Sequence, residues 1–132
     1  MSTVRMVEYE QATGLVKQVY DDIKQTRKID RIPNFWKTLA THPPTLARVW
    51  RDVKEVMAPG RLDVLTKEMI AIAVSATNGC SYCVNSHTTA AMKLGMDKEM
   101  LGELMAVVGM FNTTNKMADG YQVEPDVIPP LD

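Results

Sequence analysis

Residues 63–94 read DVLTKEMIAIAVSATNGCSYCVNSHTTAAMKL, and this stretch decides the fold. Asp63 is a good N-cap, and the run from Val64 to Thr77 that follows is rich in helix formers. Met69-Ile70-Ala71-Ile72-Ala73-Val74 is apolar on all sides, so this helix is expected to be the most buried of the set. Asn78-Gly79 ends it, since both residues tolerate the left-handed backbone of a helix C-terminus. A second helix then runs from Cys80 to Leu94 and closes at Gly95. A two-residue stop between two helical runs predicts an antiparallel hairpin.

The same reading extends outward in both directions. From Thr13 to Lys28, Leu15, Val16, Val19, Tyr20 and Ile23 fall on one helical stripe, opposite Lys17, Gln18, Asp21, Asp22 and Lys24. Pro33 opens a short segment, 34–40, that His42-Pro43-Pro44 closes. Pro44 is then expected to start a helix bearing Leu46, Val49, Trp50, Val53, Val56 and Met57 and ending at Ala58-Pro59-Gly60. A last helix runs from Asp97 to about Met117 with Met100, Leu101, Leu104, Met105, Val108 and Phe111. The tail Tyr121–Asp132 holds three prolines in its last eight residues and no period, and is expected to lie along a surface or reach a neighbouring subunit. With no repeat and no β-hairpin signal, the fold class is all-α: a bundle of about six helices, with Cys-x-x-Cys at the N-terminus of a central one.

Composition agrees with one small globular domain spanning residues 1–132, at 45% hydrophobic and 23% charged residues. The net charge of -1 lacks the basic excess of a nucleic-acid binder. No run approaches the ~20 apolar residues of a membrane span, and the N-terminus has no apolar signal region. Two cysteines are too few for a disulfide scaffold, so a cytoplasmic protein is expected.

Both cysteines and one of the two histidines lie within eight residues, Cys80 to His87. Cys80 and Cys83, three apart, share a helix face, and His87, four beyond Cys83, can lie over the second sulfur. A helix N-terminus favours a thiolate. A thiol of pKa ~8.5 needs roughly 2.7 kcal/mol of preferential stabilisation to ionise two units lower, and a helix dipole contributes about 0.3–1 kcal/mol. A nearby base is therefore required, and His87 is placed to be one. In the hairpin, Glu68 lies roughly 15 Å before the turn and His87 roughly 10 Å along its own helix, within about one turn of the same height. A carboxylate facing an imidazole beside a thiol is the arrangement of an activated nucleophile.

Glu68, eleven intervening residues, Cys80-x-x-Cys83, three more and His87 resemble the signature of the AhpD-like alkylhydroperoxidases, all-helical proteins of the carboxymuconolactone decarboxylase superfamily. The match is close from Leu65 to about Leu94 and looser over Pro33-Asn34-Phe35, His42-Pro43-Pro44 and Asn115 to Pro125, which resemble the peroxidase-related branch. The resemblance implies peroxide reduction by the cysteine pair with no metal, haem or other cofactor. Cys83 would be the peroxidatic thiol, Cys80 the resolving one, and Glu68 with His87 the proton relay. It also implies an external dithiol reductant, lipoyl or thioredoxin-like, and a homo-oligomer, trimer or hexamer. Tyr82 stands where the best-studied members carry a histidine, so a relay through that histidine is absent.

Other readings of these residues are a zinc half-site, a structural disulfide or two inert buried thiols. Zinc wants four ligands, and only the distant His42 is left to join His87. A loop this short gains little from a disulfide. A second function class is a non-catalytic redox sensor or assembly protein of the same fold. His42 reads as a capping residue, Trp36 and Trp50 as core anchors, and Met92, Met96, Met100 and Met105 as packing.

Overall fold

The computed structural model describes residues 1–131. After a short 3-10 turn, Tyr9–Gln11, come six helices: α1 (Gly14–Arg27), α2 (Asn34–Leu39), α3 (Pro43–Met57), α4 (Val64–Thr77), α5 (Ser81–Lys93) and α6 (Lys98–Gly120). No strand occurs among the described residues, so the all-α expectation holds. The chain, expected from its sequence to be one domain, parts into two compact units, Met1–Ala58 and Pro59–Asp132.

In the first unit, α1 buries Val16, Val19, Tyr20 and Ile23, the expected stripe less Leu15, which is exposed. These close on Ile32, Trp36, Ala40, Leu46 and Trp50. The Trp36 and Trp50 rings meet edge to face at 5.3 Å, as core anchors. Two polar tips of this core have partners: Trp50 Nε1 donates to Asp22 (2.7 Å) and the Tyr20 hydroxyl donates to the Val7 carbonyl (2.8 Å). Burial, helped by the charge of Glu8, pushes the Tyr20 phenol up to about 12, so it stays a neutral donor. His42 caps α3 as expected, its Nδ1 accepting from the Thr45 amide (3.3 Å), and the helix starts at Pro43 rather than Pro44.

In the second unit, α4 and α5 form the expected hairpin and α6 packs along α4. The core is small: Ile72, Ala91 and Met96, with Leu65, Met69, Met100, Leu101, Leu104 and Met105 against it. Three of the four methionines singled out above therefore pack, while Met92 is exposed. The burial expected of α4 does not hold. Only Glu68 and Ile72 are buried, and Ile70 and Val74 are about half exposed. An all-round apolar helix needs neighbours on every side, and in its unit only α5 and α6 flank this one.

Asp63 caps α4 through the Thr66 amide (2.7 Å) and Asp97 caps α6 through the Met100 amide (2.8 Å). The α4 end is a Schellman turn: the Cys80 amide donates to the Ser75 carbonyl and the Gly79 amide to that of Ala76. Gly79 sits there at φ +70°, a conformation that disfavours a side chain. A matching turn ends α6, three residues beyond the expected Met117, with Val123 donating to Ala118 and Gln122 at φ +52°. From Tyr121 to Leu131 the chain is exposed throughout. No helix among the described residues is long and apolar enough to cross a membrane.

Candidate functional site

Glu68 is the one buried charged residue among those described, 8% exposed on the second turn of α4. Burying a carboxylate costs several kcal/mol unless it is paired. Its partner is His87 on α5: Nδ1 and Glu68 Oε2 are 2.7 Å apart. A carboxylate oxygen only accepts, so Nδ1 carries the hydrogen. The imidazole is held by one nitrogen, and Nε2 is left for other chemistry. The hairpin register expected from the Asn78-Gly79 stop thus brings Glu68 and His87 into contact.

Cys80 and Cys83 are joined as a disulfide, with Cα atoms 5.3 Å apart. Cys80 is not inside the first turn of the helix, as its spacing alone suggested. It is the N-cap of α5, and its Sγ accepts the Cys83 amide hydrogen at 3.3 Å. Both sulfurs are therefore at the positive end of a thirteen-residue helix, where a thiolate is favoured. Cys83 and His87 lie one turn apart on that helix at the i, i+4 spacing. Tyr82, between the cysteines, is 43% exposed.

An opening of about 270 Å³ lies over the turn, lined by Ser75, Gly79, Cys80, Ser81, Val84 and Asn85 among others. Asn85 donates to the Ser81 carbonyl (2.9 Å). Sequence reasoning passed over Ser81 and Asn85. Their signal was the i, i+4 spacing that places them on one face beside Cys80. His42 and both tryptophans belong to the first unit's caps and core. Among the described residues, no group of three or more His, Cys, Asp or Glu gathers where it could hold a metal ion.

Several known proteins are similar to this chain. The alkylhydroperoxidase AhpD core of Rhodospirillum rubrum superposes with a TM-score of 0.92 at 43% identity, covering 96% of this chain and 95% of that one. An alkyl hydroperoxide reductase AhpD of Streptomyces coelicolor is 27% identical over 91% of this chain and 69% of its own length. An AhpD of Solibacter usitatus is 31% identical over 70% of this chain, which spans about half of it. An (R)-2-haloacid dehalogenase of Pseudomonas putida is 27% identical over 80% of this chain and 35% of its own length. The carboxymuconolactone decarboxylase family profile matches residues 44–123, a span containing the whole hairpin. With the all-helical fold and the paired cysteines, these matches make the chain an AhpD-like member of the carboxymuconolactone decarboxylase family.

Proposed function

We propose that the protein is a thiol-dependent peroxidase reducing hydrogen peroxide and alkyl hydroperoxides through Cys80 and Cys83. The observation that carries this reading is the buried Glu68–His87 hydrogen bond (2.7 Å) one helical turn beyond the cysteine pair. Glu68 orients the imidazole, and Nε2 takes the Cys83 thiol proton, giving the thiolate. The thiolate attacks the nearer peroxide oxygen. The O–O bond breaks, the alkoxide leaves as alcohol on taking a proton from the imidazolium, and Cys83 becomes a sulfenic acid. The Cys80 thiol then displaces water to give the disulfide, so the peroxide gains two electrons and the pair loses two. The resulting oxidised species is the Cys80–Cys83 bond seen in the structure.

An external dithiol, lipoyl or thioredoxin-like, restores both thiols by exchange at Cys80, a residue that lines the opening at the turn. The cycle uses no metal or prosthetic group. Its setting is the cytoplasm, where dithiol reductants are abundant, and its working form is a homo-oligomer, trimer or hexamer. The relatives named for alkylhydroperoxidase activity support the reading.

The test is a thiol count after sub-stoichiometric cumene hydroperoxide is added to the fully reduced protein. Two thiols should vanish per peroxide within seconds, and none should vanish rapidly in Cys83→Ser. Thiols that persist for minutes in the wild-type protein would overturn the proposal. They would leave the second reading, a redox-sensing assembly protein, which gains support from the apolar surface that the second unit leaves open.

A further inference from the structure

The two cysteines of the pair have different surroundings. The opening over the turn takes in Cys80 but neither Cys83 nor His87. Successive residues of α5 turn by about 100°, so Ser81 and Asn85 lie about 160° around the axis from Cys83 and His87. The turn leaves the Cys80 side uncovered, since a Cβ at Gly79 would meet nothing within 4 Å. The disulfide therefore joins a cysteine beside the imidazole to one in a separate opening.

Ala76 and Val84 give that opening apolar surface, Ser75, Ser81 and Asn85 give it polar groups, and no charged residue lines it. Asn85 Nδ2 donates to the Ser81 carbonyl (2.9 Å), which fixes the amide and leaves Oδ1 as an acceptor. A small dithiol matches this lining. Its carbon chain suits Val84 and Ala76, and its second S–H is a weak donor for Oδ1. The volume of about 270 Å³ is just below the ~300–1,000 Å³ of drug-sized pockets, which is room for a short-chain dithiol.

We propose that this opening admits the reductant apart from the peroxide, and that Asn85 sets, by the charge at its position, which dithiols are used. The proposal rests on the peroxidase reading in taking Cys80 as the exchange sulfur. A thiolate of the dithiol attacks Cys80 Sγ, the Cys80–Cys83 bond breaks, and Cys83 leaves as a thiolate at the helix N-terminus. The reductant's second thiolate then displaces Cys80 from the mixed disulfide. The dithiol loses two electrons and becomes a disulfide, the cysteine pair gains them, and the two thiol protons pass to the pair. A carboxylate at position 85 would repel an anionic dithiol and an ammonium would attract it, both less so in salt.

Reduction of the oxidised protein, read as thiol appearance, tests this with uncharged dithiothreitol and dianionic dimercaptosuccinate. The ratio of rates, dimercaptosuccinate over dithiothreitol, should fall by about fivefold or more in Asn85→Asp and rise as much in Asn85→Lys at low salt. Both shifts should shrink at ~1 M salt, where the screening length is ~3 Å, a response that a merely structural role would not give. The same charges at Thr89, one turn further along α5 and outside the opening, should move the ratio less than about twofold. Pre-reduced Asn85→Asp should lose its thiols to cumene hydroperoxide within a factor of about three of wild type, since the peroxide meets Cys83 from the other side. A ratio that stays put, one that moves equally with Thr89, or a peroxide step slowed as much as reduction overturns the proposal. A ratio that moves as expected in a protein whose thiols resist peroxide supports the role of the opening and overturns the peroxidase reading alone.

Discussion

The two units solve the same folding problem to different degrees. Residues 1–58 close ten side chains into a core around Trp36 and Trp50, with the polar tips of Trp50 and Tyr20 matched. From Pro59 onward only three apolar residues are buried among the described residues, Glu68 is the one buried charge among them, and α6 buries nothing fully. A finished core confers stability but leaves little free to react. An unfinished one leaves a buried carboxylate, a disulfide-bearing turn and open apolar faces at which chemistry and assembly can occur. The contrast can be tested residue by residue.

The largest effect is expected in the second unit without loss of fold. On the proposed cycle, His87→Gln should slow the peroxide reaction of the reduced protein by about 10²–10⁴-fold, read by stopped-flow thiol loss. Circular dichroism should be unchanged, and a rate within a factor of three of wild type would remove His87 from the relay. In the first unit the pattern should invert. Trp50→Ala removes a buried indole and its hydrogen bond to Asp22, and should cost about 3–5 kcal/mol in urea unfolding while the thiol reaction of the folded fraction stays near wild type. A slowed thiol reaction there would show that the contrast between the units is wrongly drawn.

Asp63→Ala deletes the α4 cap and should cost about 1 kcal/mol, with the loss concentrated in amide exchange of the first α4 turn. The smallest effect belongs to Asp22. The Lys54 ammonium, then the Trp50 N–H, hold its carboxyl below the usual range. A depressed pKa stabilises above the unfolded value of about 3.9, and that stability is lost as pH falls through the folded value. Its side chain is 39% exposed, so solvent screening limits the contribution to about 0.2–1 kcal/mol. Asp22→Asn should therefore flatten the acid limb of the stability curve below about pH 4 and change little at pH 7 beyond a small constant offset.

How much of this was legible in the sequence depended on how local each signal was. The bounds of α4 followed from an Asp cap and an Asn-Gly stop, both set by backbone chemistry within four residues. The Glu68–His87 contact followed because a two-residue stop leaves a hairpin one register. The end of α6 was placed three residues early, since the left-handed position there is filled by Gln122, a residue that signals no stop. The burial of α4 was over-read because an apolar periphery states that a helix wants covering, and not which chain covers it. The role of Cys80 as N-cap was missed because residue spacing does not distinguish the last non-helical position from the first helical one.

The turn at Asn78 and Gly79 has one more consequence, for which changes of chain length the protein can tolerate. Glu68 and His87 meet across nineteen positions, nearly all of them helical. One residue inserted within α5 before His87 would turn the imidazole by about 100° and carry it about 1.5 Å along the axis, off its carboxylate. The stretch 68–87 is thus a ruler of fixed length. The exposed segment 58–62 between the two units carries no such measure, and insertions and deletions among relatives should collect there and spare the ruler.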